Sequence, residues 1–110
     1  MNYQHQQLAA GRWKQLNFLE QMANIGSEVE RFLGWRAKNN INYSKKAFER
    51  ALELLDLTMS DLKNRPKLKE LARVRESLVD YFSGINQFVS TETSWKKYFS
   101  CFTYAARRNK

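Results

Sequence analysis

The stretch WKQLNFLEQMANIGSEVERFLGWRAK, residues 13–38, decides the fold class of this chain. Phe18, Met22, Ile25, Val29 and Phe32 recur at steps of four, three, four and three, which puts them on one face of an α-helix. Leu19, Ala23, Gly26, Glu30 and Leu33 form a second seam beside the first. Asn17 followed by Glu20 fits a capping box, so the helix begins there or nearer Trp13. The polar run AKNNINYS then predicts an end near Arg36 to Lys38.

The same pattern recurs downstream. Ser44 is placed to cap a second helix, in which Phe48, Leu52, Leu55, Met59 and Leu62 repeat the seam and Ala47, Ala51 and Leu54 widen it. KNRP ends that helix, and Pro66 suits the first turn of a third, which runs to about Ser83 with Gly84 as its stop. After GINQFVSTETS, with Ser90 or Thr91 as cap, a fourth helix carries Trp95, Phe99, Phe102 and Ala106 on one side. No segment alternates with period two for long enough to be a strand. The expected fold is all-α, an up-and-down antiparallel four-helix bundle. Residues 13–110 make a single domain, and the glutamine-rich residues 1–12 are expected to be a frayed leader.

Composition removes several function classes. One cysteine, Cys101, and one histidine, His5, leave no metal-ligand cluster and no nucleophile–base pair. Di-iron bundles need Glu-x-x-His pairs, and RNA-cleaving toxins of the HEPN type need an Arg followed closely by His; no helix here carries a histidine. The expectation is a protein without enzymatic activity, cofactor or metal. No apolar run approaches the ~20 residues of a membrane span and the single cysteine suits a reducing compartment, so a cytoplasmic protein with no membrane partner is expected.

LKELARVRESLVDYF, residues 68–82, contains one anomaly. Arg75 lies within roughly 60° of Leu68, Leu71, Leu78 and Phe82 on the helical wheel, and a guanidinium that cannot deprotonate needs a partner if buried. Glu30, in the second seam of the first helix, is the expected one. Helices one and three run parallel in an up-and-down bundle, and counting from their shared end leaves the two residues offset by roughly 3 Å. The reading is a structural ion pair, with Gly26 leaving room for the guanidinium stem or for a close helix approach.

Charge is the informative quantity. Nineteen Lys and Arg stand against eleven Asp and Glu, a net +8. The expected topology collects Arg12, Lys14, Lys63, Arg65, Lys67, Lys69, Arg107, Arg108 and Lys110 at one end, with Asp61 and Glu70 nearby. Arg36, Lys38, Lys45, Lys46, Lys96 and Lys97 fall at the other, among Glu28, Glu49, Asp80 and Glu92. Basic residues at helix C-termini are ordinary capping chemistry, which covers Lys63, Arg107 and Arg108. It does not cover Lys67 and Lys69, at a helix N-terminus. The first set reads as a phosphate-binding surface, with Tyr104 and Trp13 either stacking on bases or joining the core. No groove-reading motif accompanies it. Leu57 and Trp35 point off the assigned seams and are either incidental or, together with Tyr43 and Tyr81, a homo-oligomer contact.

The stretches WKQLNFLEQMANIGSEVERFLGW, KAFERALELLDLTM and LKELARVRESLVDYF resemble a group of small bacterial all-helical proteins, over about two thirds of the chain. By size, charge and helical pattern alone, the chain also resembles the accessory variability proteins of diversity-generating retroelements. That resemblance implies a basic bundle that assembles into rings and binds a reverse transcriptase and its RNA. The functional expectation is an RNA-binding accessory protein; the alternative is a helical adaptor between proteins.

Overall fold

The computed structural model describes residues 6–108, and the side chains of 11–108. Among these residues there are five α-helices and no strand: α1 Gln6–Gln15, α2 Phe18–Ala37, α3 Ile41–Ser60, α4 Leu68–Ser83 and α5 Glu92–Arg108. A 3-10 segment, Leu62–Lys67, joins α3 to α4. The expected helices one to four are α2 to α5. Residues 6–12 of the expected leader are helical and belong to α1, which packs on α3.

Local chemistry sets the ends. Asn17 and Glu20 make the capping box: the Asn17 side chain accepts from the Glu20 amide at 2.8 Å, and the Glu20 carboxylate accepts from the Asn17 amide at 3.1 Å. α3 starts earlier than expected, because Asn40 caps it by accepting from the Tyr43 amide. Ser44 is instead buried and donates to the Phe32 carbonyl of α2 at 3.2 Å. α3 also ends earlier, at Ser60, so Leu62 leaves the seam and stands in solvent. Pro66 falls inside the 3-10 segment rather than in a first α-helical turn. Gly84 ends α4 at φ +89°, a conformation that side chains disfavour. Thr91 caps α5: its hydroxyl accepts from the Ser94 amide and the Ser94 hydroxyl accepts from the Thr91 amide.

α2 is the central element and packs against both α3 and α5, while α4 lies against α3. Met22, Ile25, Val29 and Phe32 are buried as the seam predicts, with Leu55, Leu71, Leu78 and Phe99 facing them in one core. At Gly26, α5 approaches α2 closely. A Cβ built there would lie 2.8 Å from the Cβ of Phe99, so glycine is what allows the approach. The room at Gly26 is taken by an aromatic ring, not by a guanidinium.

The expected Glu30–Arg75 pair does not form. Glu30 is exposed, and Arg75 Nε donates to Asp56 Oδ1 of α3 at 2.9 Å, with both side chains about one-third exposed. The reason is angular. The buried arc of α2 runs from Glu28 to Gly26, and a four-residue step drifts by roughly 40°, which carries Glu30 past its edge. In α4 the arc is set by Leu71, Val74 and Leu78, leaving Arg75 on its shoulder, roughly 60° from the middle. The buried carboxylate of α2 is Glu28, which pairs with Arg31 and, at 3.8 Å, with Arg50.

Candidate nucleic-acid interface

The corner after α3 is built from polar groups that are almost wholly buried. Asp61 ends the helix, and its side chain accepts from the Lys63 amide at 3.3 Å, starting the 3-10 segment. Gln21, 0% exposed in the first turns of α2, donates to the Trp13 carbonyl at 2.9 Å and to Asp61 Oδ2 at 3.0 Å. Its Oε1 accepts from Asn64 Nδ2 at 2.7 Å, and the same amide group donates to the Thr58 carbonyl at 3.0 Å. The Trp13 indole N–H donates to Thr58 Oγ1 at 2.8 Å, and that hydroxyl donates to the Leu54 carbonyl. These groups bind the end of α1, the start of α2, the end of α3 and the 3-10 segment into one rigid corner.

Asp61 carries the charge of this cluster. Burial alone would raise its pKa, but hydrogen bonds from Lys63 and Gln21 outweigh it and hold the carboxyl below its ordinary value. Lys63 Nζ contacts that carboxylate and donates to the Lys14 carbonyl at 3.0 Å. Lys63, expected to contact phosphate, is therefore engaged in holding α1 to the 3-10 segment.

The remaining cations of this end are free on the surface. Arg12 and Lys14 of α1, Arg65 and Lys67 of the 3-10 segment, Lys69 of α4, and Arg107 and Arg108 of α5 are all exposed. Among the described residues none of them is ion-paired; Lys110 lies outside the described residues. The structure joins some of these elements directly. The Lys67 ammonium sits 5.5 Å from the Phe18 ring centre, and Phe18 packs edge-on against Phe102 of α5 at 5.9 Å. The start of α2, the 3-10 segment and the second half of α5 therefore share one surface. α4 begins without a side-chain cap, with Lys67 at the cap position and Lys69 in the first turn. The 3-10 segment caps it instead, with the Leu68 amide donating to the Arg65 carbonyl.

Nearby acids are occupied. Glu20 serves the capping box, and Asp61 serves Gln21 and Lys63. Glu70 accepts from the Tyr98 hydroxyl at 2.8 Å; burial and that carboxylate push the Tyr98 phenol well above its usual pKa. Of the two aromatic residues expected here, Trp13 is core, its N–H satisfied by Thr58, whereas Tyr104 is 67% exposed. Of the four residues grouped as a homo-oligomer contact, Leu57 and Tyr81 pack on the core, and Trp35 meets Tyr43 edge-on at 4.9 Å.

The corner itself escaped sequence reading, although a signal was present. Gln21 falls inside the apolar arc of α2, roughly 40° from Ile25, where a polar side chain needs a buried partner. No family model, no curated protein and no solved structure matches this chain.

Proposed function

We propose that this protein binds nucleic acid, RNA before DNA, through phosphate contacts at its basic end, and that it serves a larger enzyme such as a reverse transcriptase. The observation that carries this reading is the division of labour among charges. The carboxylates near this end are engaged within the fold, while Arg12, Lys14, Arg65, Lys67, Lys69, Arg107 and Arg108 are exposed and unpaired among the described residues. Cations kept from internal acids are available to an external polyanion. The preference for RNA and for an enzyme partner rests on the architectural resemblance to retroelement accessory proteins. We also propose that α2 to α5 alternate in direction as an up-and-down bundle. The placement of α2 between α3 and α5, and the short turn between Ala37 and Ile41, support it.

Without a groove-reading element, binding is expected to follow backbone and shape, with a single base stacked on Tyr104. Titration of single-stranded RNA, structured RNA and duplex DNA against salt tests the reading. Affinity is expected to fall with a log–log slope of about −0.7 for each phosphate contact on single strands. Lys67→Gln with Lys69→Gln should flatten the slope by roughly one to one and a half units, while Lys45→Gln should leave it nearly unchanged. Millimolar binding to all three at ~0.1 M salt would remove nucleic acid and favour an adaptor role.

A further inference from the structure

The loop between α4 and α5, residues 84–91, holds apolar side chains out in water and is tightly organised while doing so. The Asp80 carboxylate accepts from the amides of Gln87 and Phe88 at 2.9 and 3.1 Å. Asn86 brackets Ser90: its side-chain oxygen accepts from the Ser90 amide at 2.8 Å and its amide donates to the Ser90 carbonyl at 2.9 Å. The Ile85 amide donates to the Ser83 hydroxyl. Val89 is held at φ +55°, a region that β-branched residues rarely enter. With the backbone so fixed, Ile85 is 70% exposed, Phe88 52% and Val89 78%. This exposure is a built feature of the loop, and apolar surface kept in water favours whatever covers it.

The α2–α3 turn lies at the same end. Arg36, in the last turn of α2, donates to the Tyr81 carbonyl of α4 at 3.4 Å, and its guanidinium sits 4.8 Å from the Tyr81 ring centre. Just beyond that turn, Ile41 is 76% exposed and Tyr43 half-exposed. Cations surround these groups. Lys38 lies over Trp35 and Lys46 over Tyr43, and Lys45 and Lys97 are exposed. Three acids of this end are engaged: Asp80 holds the loop amides, Glu92 pairs with Lys96 at 3.0 Å, and the buried Glu28 pairs with Arg31 and Arg50, while Glu30 and Glu76 are exposed further along α2 and α4. Glu49 is half-buried further along α3.

The occupant must be apolar and anionic together. A second copy would bring a matching set of cations against the first. A nucleic acid would satisfy the cations but leave Ile85, Val89 and Ile41 in water. We propose that this end docks on an anionic phospholipid surface. Ile85, Phe88 and Val89 enter the boundary between headgroups and acyl chains, and Lys38, Lys45 and Lys46 meet lipid phosphates. The expectation of no membrane partner rested on the absence of a spanning segment; no described helix is long and apolar enough to cross a bilayer, which does not bear on lying on one. This surface is independent of the basic end, so the two proposals stand or fall separately.

Flotation with vesicles tests it, using phosphatidylcholine alone and with about one-third phosphatidylserine, at ~0.1 M salt. The full chain is expected to float with the anionic vesicles and not with the neutral ones. A Phe88→Trp variant should shift its emission to the blue on binding and be quenched by brominated acyl chains. Phe88→Ser with Val89→Ser, shown to be folded by circular dichroism, should lose about tenfold or more of the partitioning. Lys67→Gln with Lys69→Gln should keep at least half of it. Equal flotation of the Phe88→Ser, Val89→Ser protein would mean that charge alone adsorbs the chain and would overturn the proposal. So would failure of the folded wild-type chain to float. A wild-type dimer in size-exclusion chromatography that the same two substitutions turn into a monomer would also overturn it, by assigning the loop to self-association.

Discussion

At one end of this molecule the interior is polar and the rim is cationic; at the other the interior is aromatic and the rim is partly apolar. Gln21, Thr58, Asp61 and Asn64 fill the first interior and are buried with their hydrogen bonds made. Phe32, Phe48, Phe82 and Tyr81 fill the second, with Phe48 stacked on Phe82 at 4.1 Å and 8° between planes. The two solutions differ in how they fail. An aromatic cluster responds to lost volume. A hydrogen-bond network responds to one missing partner, because several buried groups lose a bond at once.

The largest effect is expected where volume is lost. Phe48→Ala should lower stability by about 3–5 kcal/mol in urea unfolding, since it empties the stack between α3 and α4. Gln21→Leu keeps most of the volume yet removes one hydrogen bond each from Asn64, Asp61 and the Trp13 carbonyl, which keep Thr58, Lys63 and Leu16 as partners, and should cost about 2–3 kcal/mol by the same measurement. A neutral result would show that water replaces the glutamine, and the contrast between the two ends would weaken. Between the ends, Gly26→Ala pushes a methyl against the Phe99 Cβ and should cost about 1–3 kcal/mol despite the better helix propensity of alanine.

Acid should separate the ends more cleanly than mutation does. The folded-state pKa of Asp61 lies below its unfolded value, so the unfolded chain takes up the proton first as pH falls. Its stabilising contribution is complete above about pH 3.9, the ordinary aspartate value, and is lost as pH drops through the lower folded value. Urea unfolding of wild type and Asp61→Asn across that window should show their difference shrinking toward low pH. Phe48→Ala, whose change involves no titrating side chain, should differ from wild type by a nearly constant amount. The smallest effect belongs to Arg75→Ala. Its pair with Asp56 is about one-third exposed, so a loss below ~1 kcal/mol is expected, far less than a buried pair would give. A loss of several kcal/mol would mean that the pair is shielded from water after all.

What the sequence determined by itself was local. The four-three spacing of Phe18, Met22, Ile25, Val29 and Phe32 requires a helix whatever surrounds it, because only a period near 3.6 gathers these residues on one face. The capping box at Asn17 and Glu20, and the stop at Gly84, were legible because each acts over a few residues of its own chain. The meeting of the start of α2, the 3-10 segment and the second half of α5 was legible for a related reason: helix lengths and turns largely decide which segments come together.

Tertiary structure decided which groups meet across that frame. A helical wheel gives the angle of Glu30 relative to Gly26, but not how far the covered arc extends, and about 40° separated an expected buried pair from an exposed glutamate. It likewise could not show that Lys63 would serve Asp61 and Lys14 rather than a ligand, or that Trp13 would find Thr58. Those partners lie more than forty residues apart in two of the three contacts, Lys63 to Lys14 and Trp13 to Thr58. Hydrogen bonds require distances near 3 Å and defined angles, so such contacts are settled only when all the packed helices have fixed their rotation and depth together.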